Sequence, residues 1–268
     1  MTDAHCHPWD LKNSLLNFML EQDAETERRK CKTTAAASAT SREQFEYHEE
    51  LAKKAVEDGV EPLYCCYALH PQLSPVKFDL TVGLAYLNAL AKEGRLNGVG
   101  ETGFDLYNET YKASEKIQDE MFAGHLETAL NYGLPLILHV RRAMHKIFPF
   151  ARELKKLPAV IFHSWPGSRG EGEALVNRGI NVFFSFGTTV LKNHREAMAS
   201  AAIFPSERIL LETDAPWQPL RGKEFSSYGD LEAICTGIAA LRKEAGSPCN
   251  TMEELEQITT ANFFRCFG

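Results

Sequence analysis

The 268-residue sequence has no CxxC pair, and its seven cysteines are odd in number. That argues against a disulfide framework and a zinc knuckle, and reduced, mostly buried thiols are expected. No apolar run approaches the roughly 20 residues that a membrane-spanning helix needs. The opening Met-Thr-Asp-Ala-His lacks both the basic and the apolar stretch of a secretion signal. A cytoplasmic protein without a membrane partner is expected. Tracts of Pro, Gly or Ser that would mark disorder are missing too. Positive charge is in short supply: 29 Lys and Arg stand against 36 Asp and Glu, a net charge of −7. Nonspecific affinity for a polyanion rests on phosphate neutralisation by Lys and Arg, so any contact with nucleic acid has to be local.

What the chain does have is 44% hydrophobic and 24% charged residues, the ordinary balance of a folded globular protein. Its length suits one α/β barrel over residues 1–268 with no second domain, and a monomer is expected. Short β-rich runs alternate with longer amphipathic ones. Strands are predicted at Thr2–His7, Thr33–Ser38, Pro62–His70, Leu96–Phe104, Leu134–Val140, Ala159–Trp165, Asn181–Phe186 and Arg208–Thr213. Helices are predicted over Leu11–Arg29, Ser41–Asp58, Leu80–Glu93 and Ser114–Tyr132, with two more closing the chain. Ser41 followed by Gln44 resembles a capping box, and Gly133 stops the helix before it. Eight strands separated by helices favour a parallel sheet closed into a TIM-type (β/α)8 barrel, although a doubly wound open sheet shares the alternation.

The first strand ends in Asp3-Ala4-His5-Cys6-His7, and side-chain alternation presents His5 and His7 together while Cys6 points away. Alone, such a pair fits two core histidines equally well. Four other predicted strands also end in a polar residue after an apolar run: Glu101 in Val-Gly-Glu-Thr-Gly, His139 after Pro-Leu-Ile-Leu, His163 after Val-Ile-Phe, and Asp214 after Leu-Leu-Glu-Thr. A barrel gathers the C-terminal ends of its strands around one mouth, so these six residues would converge there. Four imidazoles and two carboxylates suit one or two divalent cations such as zinc, manganese or magnesium.

These segments resemble the TatD family of metal-dependent deoxyribonucleases, among the amidohydrolase-like barrels, and the likeness runs end to end. Asp3 to His7 resembles its DxHxH opening, Ala68-Leu-His-Pro71 its GxHP turn, and Gly100-Glu-Thr-Gly-Phe-Asp105 its GExGLD motif. Leu134-Pro-Leu-Ile-Leu-His139 with Val140-Arg141 resembles LPVxxHxR. Phe162-His163 with Gly167-Ser168 resembles HxFxGS, and Glu212-Thr-Asp-Ala-Pro216 the ETDxP signature. Asn262-Phe263 with Phe267 resembles the terminal NxxxxF. The chain departs from the family pattern at Ala68, at Thr102 and Phe104, and at Trp165-Pro166, so the pocket lining differs while the ligand positions do not.

The resemblance implies that His5, His7, Glu101 and Asp214 hold one metal and that Glu101, His139 and His163 hold a second, with Glu101 bridging. It makes Asp214 the general base or proton shuttle, and a metal-activated water the nucleophile against a phosphodiester. It also implies a 3'-5' exonuclease acting on DNA ends or single strands. Arg141, just beyond the His139 strand, is the best phosphate binder, because guanidinium donors match phosphate oxygens. His70 and Arg169 are further candidates for substrate contact, while Arg142 is expected to face outward. Trp9, Trp165 and Trp217 are expected near the mouth, either stacking on a base or sealing the rim. Two other functions remain compatible with the same residues: hydrolysis of a small ester, lactone or phosphate compound, and a metal-stabilised scaffold without activity.

Overall fold

The computed structural model describes residues 1–17, 24–74, 78–192 and 194–268. Eight strands form one parallel sheet in chain order: β1 (Thr2–Cys6), β2 (Thr34–Ala39), β3 (Leu63–Tyr67), β4 (Gly98–Asp105), β5 (Leu136–Arg141), β6 (Val160–Phe162), β7 (Val182–Phe186) and β8 (Ile209–Leu211). The first half of the chain supplies α1 (Pro8–Asn17), α2 (Ala24–Lys30), α3 (Arg42–Glu57), α4 (Leu80–Lys92), α5 (Glu109–Ala113) and α6 (Glu115–Tyr132) between strands. The second half supplies α7 (Met144–Ile147), α8 (Ala151–Leu154), α9 (Arg169–Asn177), α10 (Arg195–Ile203), α11 (Leu231–Glu244) and α12 (Met252–Phe267). This is the TIM-type barrel that the alternation predicts. The helix predicted over Leu11–Arg29 is met at both ends by α1 and α2, and its middle, 18–23, lies outside the described residues.

Sequential pairing, with register shifts between β1 and β2 and between β4 and β5, leaves β1 and β8 as neighbours, and the backbone joins them at the mouth. Asp214 N donates to His5 O at 3.0 Å, and His7 N donates to Ala215 O at 2.8 Å. Asp3 reinforces the seam: its Oδ1 accepts from Thr213 N at 3.0 Å and its Oδ2 from the Thr213 hydroxyl at 2.6 Å. Burial pushes the Asp3 carboxyl up to about 7, against those hydrogen bonds.

The period-2 pattern sorts each strand into two faces. Leu136, Leu138, Phe162, Phe184 and Leu211 pack outward under the helices. Ala36, Cys66, Ile137, Ile161, Phe183 and Leu210 fill the interior, and Phe263 and Phe267 of α12 join them. Each buried Phe contributes about 2 kcal/mol by leaving water. Two residues beyond Ile137, Ile161 and Leu210, on the same face, stand His139, His163 and Glu212, so the apolar interior gives way to a polar layer at the strand ends. Gly103 sits opposite His139 with a φ of 133°, where an added Cβ would strike the His139 carbonyl oxygen; glycine is what lets β4 lie this close to β5.

One detail of the helix starts differs from the sequence reading. Ser41 does accept from Gln44 N at 3.2 Å, but the Gln44 side chain returns to Thr40 N at 2.7 Å and not to Ser41, so the box is offset by one residue. Among the described residues, no helix is long and apolar enough to cross a membrane.

Candidate metal centre

All six residues predicted at strand ends meet at the barrel mouth. Glu101 is at the centre and its two oxygens face different partners. Oε2 lies 3.1 Å from His5 Nε2 and 3.7 Å from His7 Nε2. Oε1 lies 2.6 Å from His139 Nδ1, 3.2 Å from His70 Nε2 and 3.5 Å from His163 Nε2. Asp214 closes the other side: Oδ1 is 3.5 Å from His7 Nε2 and Oδ2 is 3.8 Å from His163 Nε2. His5, His7, Glu101, His163 and Asp214 are buried, while His139 and His70 are half-buried.

The donor set fits divalent cations. Three groups bring potential ligand atoms within 4.8 Å of one another: His5 with His7 and Asp214, His5 with Glu101 and His163, and His70 with Glu101 and His139. The Nε2 atoms of His5 and His7 stand 3.1 Å apart. Two neutral imidazoles can present lone pairs that close only to a shared proton or cation. Electrostatics points the same way. Burial works against charge on His163, but Glu212, Glu101 and Asp214 pull it up to about 10; Glu101 and then Asp105 likewise pull His139 up to about 8. Burial would raise Glu101, yet the histidines around it, His70 foremost, hold it well below the usual carboxylate range. The cluster is built to accommodate positive charge.

Outer partners orient the rings. Ser38 Oγ is 3.2 Å from His5 Nδ1, Asp105 Oδ2 is 3.2 Å from His139 Nε2, and Glu212 Oε1 is 3.1 Å from His163 Nδ1. Glu212 Oε1 also accepts from Ser164 N at 2.7 Å, and Asp105 accepts from the Gln72 amide at 2.8 Å. Burial would raise Asp105, but hydrogen bonds from His139 and Gln72 bring it down to about 2. Gln218 Nε2 donates to Asp214 Oδ2 at 2.7 Å. The sequence alone assigns no role to Ser38, Gln72, Asp105, Ser164, Glu212 or Gln218. Asp105 and Glu212 lie inside the quoted motifs, each a carboxylate at the end of a buried strand, and that was the available signal. Ser38 and Gln218 carried none.

His70 plays a part different from that of the other rings. Its Nδ1 accepts from Gln72 N at 3.1 Å, so in the neutral ring the proton sits on Nε2, the atom facing Glu101. That makes it a donor into the site. Burial lowers its pKa, against the opposing pull of Glu101.

The mouth is a cavity of about 980 Å³ whose lining includes His70, Tyr107, Arg141, Arg142, His194 and Trp217. Arg141 is exposed there and stacks on Tyr107, its guanidinium carbon 3.6 Å from the ring centroid. Arg142, expected to face outward, also lines the mouth, because its left-handed backbone (φ 56°) breaks the strand alternation. Trp165 is only 2% exposed: it packs on Phe162, Phe184 and Phe204 and donates to Ser200 Oγ, so it seals the wall. Trp9 packs edge-on against Tyr47, whereas Trp217 is 54% exposed on the rim. Arg169 pairs with Glu173 on the surface of α9.

The family model described as TatD related DNase matches residues 2–268. The chain is 29% identical over 278 residues to the "Uncharacterized metal-dependent hydrolase TatD" of Mycobacterium tuberculosis, covering 100% of this chain and 98% of that one. It is 27% identical over 252 residues to the "3'-5' ssDNA/RNA exonuclease TatD" of Musicola paradisiaca, covering 88% and 90%. Among solved structures, it superposes on YJJV, a TatD homolog from Escherichia coli, with a TM-score of 0.82 at 24% identity, covering 100% and 97%.

Proposed function

The chain belongs to the TatD family of metal-dependent hydrolases, and from that premise we propose that it is a divalent-metal phosphodiesterase that removes nucleotides from DNA ends or single strands, as a 3'-5' exonuclease. The observation that carries the proposal is the division of labour at Glu101, whose Oε2 faces His5 and His7 and whose Oε1 faces His139, His70 and His163 beneath an open mouth. In this reading His5, His7, Glu101 and Asp214 hold one ion, and Glu101, His139 and His163 hold a second. Magnesium, manganese and zinc all accept this mixed nitrogen and oxygen set. When bound, the ions supply Lewis acidity toward a phosphoryl oxygen and activate water for attack.

The protein's own groups do the rest. Asp214 is positioned as the general base: Oδ1 faces His5 and His7, and Oδ2 is held by the Gln218 amide. The His70 Nε2–H and the Arg141 guanidinium donate to phosphate oxygens from the two sides of Glu101 and the rim. A cavity of about 980 Å³ lies at the top of the range for drug-sized ligands, and with exposed Trp217 and Tyr107 on its rim it favours a nucleotide chain over a small ester. The relative named as a 3'-5' ssDNA/RNA exonuclease supports the same substrate class.

The test incubates the metal-loaded protein with end-labelled single-stranded DNA, separately in magnesium, manganese and zinc, beside His139→Ala and Asp214→Asn. Laddering from the 3' end that both variants lose is the expected result. Inactivity of the parent protein with all three metals overturns the nuclease reading and moves the site to a small-molecule ester or lactone.

A further inference from the structure

Two consecutive arginines at the end of β5 ought to point to opposite faces. Here they converge. Arg141 continues the strand, while Arg142 turns back with a φ of 56°, and its Nη1 donates to Tyr107 O at 3.3 Å. Both guanidinia then lie against one phenol ring, their central carbons 3.6 Å and 4.6 Å from its centroid. A neutral aromatic face attracts each cation, but it cannot offset the repulsion between the two. A carboxylate could, as it does for Arg28, Arg29, Arg42, Arg95 and Arg169, while Arg178, Arg208, Arg242 and Arg265 donate to backbone carbonyls. Among the described residues none of these last four is doubled against a second arginine on one ring, and neither Arg141 nor Arg142 has a carboxylate partner. The nearby Asp105 uses its oxygens on His139, Gln72 and Tyr107 N.

We propose that Arg141, Tyr107 and Arg142 form a second anion subsite on the rim, which takes the phosphate adjacent to the one at the histidine–carboxylate cluster. Two uncompensated cations held against one ring at a mouth raise the local potential for an anionic ligand. Arg141 follows His139 by two residues on the same strand face, a step of about 6.6 Å toward solvent, which is of the order of one sugar-phosphate unit. Two guanidinia present parallel donors to the oxygens of one phosphate, and the Tyr107 ring keeps both preorganised. The subsite therefore deepens the phosphodiesterase reading, on which it rests: the preferred substrate carries at least two neighbouring phosphates. Its ligand is a phosphate ester, either the terminal monoester of a short fragment or the next diester of a longer chain.

The experiment measures equilibrium binding by calorimetry to the full-length, metal-loaded chain, with probes in which methylene replaces each bridging 3' oxygen so that no bond is cleaved. Three probes are used: a hydroxyl-ended dinucleotide with one phosphate, the same dinucleotide with a 5'-phosphate, and a hydroxyl-ended trinucleotide. The two probes with a second phosphate are expected to bind on the order of tenfold more tightly than the first, and this advantage to vanish in Arg142→Gln and in Tyr107→Leu. An advantage for the phosphorylated dinucleotide alone identifies a terminal monoester, and one for the trinucleotide alone identifies a chain diester. Equal binding of all three probes overturns the subsite, as does an advantage that survives in both variants. Cleavage assays on the metal-loaded protein separate the two readings. Binding discrimination without any cleavage sinks the phosphodiesterase alone, and cleavage without discrimination sinks the subsite alone.

Discussion

Glu212→Gln isolates the role of a buried carboxylate that stands behind one ring of the cluster and faces no other member of it. Glu212 is fully buried, accepts from Ser164 N at 2.7 Å through Oε1, and places that same oxygen 3.1 Å from His163 Nδ1. Glutamine keeps the volume and leaves a carbonyl oxygen able to accept from Ser164, so the perturbation is the loss of one negative charge behind His163. That charge is the largest influence raising His163 against its burial, to about 10. Without it the ring is a poorer electron donor through Nε2, and outer partners of ligand histidines are typically worth about 10- to 100-fold in metal affinity, or about 1.4 to 2.7 kcal/mol. Competition titration against a chromophoric chelator reads the affinity. In the metal-free protein the same residue shapes pH dependence. A His163 raised above its unfolded value near 6.5 stabilises the fold below that pH, and the contribution is lost as pH rises toward 10. Urea unfolding of the metal-free variant should therefore show a flatter decline between pH 7 and 9. Metal affinity within twofold of the parent, with an unchanged decline, would refute the reasoning.

Three further outcomes are expected. His125 is buried, accepts from Leu69 N and sits against Thr102 Oγ1, and burial lowers it to about 3. The unfolded chain takes that proton first as pH falls below about 6.5, so stability drops by about 1.4 kcal/mol per pH unit toward pH 3. His125→Gln should remove that slope in urea titrations between pH 6 and 4. Gln218→Leu leaves Asp214 Oδ2 without its amide donor, and kcat should fall about tenfold with KM within twofold, since one charge-assisted hydrogen bond is worth about 1.5 kcal/mol; a change confined to KM would place Gln218 in substrate binding instead. Asp3→Ala strands the Thr213 and His5 N–H groups and the Thr213 hydroxyl at the barrel seam, and should cost about 3 kcal/mol in chemical denaturation, with metal affinity also reduced.

How much of this could be read from the sequence follows from the range of each interaction. Strand identity is local: an apolar run bounded by turn residues reads as a strand wherever it folds, and eight such runs separated by helices predict the barrel, with small errors at the ends. Pro62–His70 was read as one strand, but pairing stops at Tyr67 and His70 instead caps a short 3-10 turn at Pro71–Leu73. The ligand candidates are legible for the same local reason, since His139, His163 and Asp214 each follow an apolar run and His5 and His7 share one strand face; Glu101 instead lies mid-strand, with β4 running on to Asp105.

Pairings across the barrel were decided by the tertiary structure alone. Nothing near Asp3 in sequence shows that its carboxylate spans to Thr213, 210 residues away, or that Glu212 stands behind His163 and Asp105 behind His139. Trp165 beside a motif could have faced the mouth or the wall, and only the packing of Phe162, Phe184 and Phe204 settled it. The convergence of Arg141 and Arg142 depends on one left-handed residue and on Tyr107 from the preceding loop. Hydrophobic periodicity is written along the chain because burial acts on each residue separately. Directional contacts between polar groups join residues far apart in sequence, and they become visible once the sheet has closed.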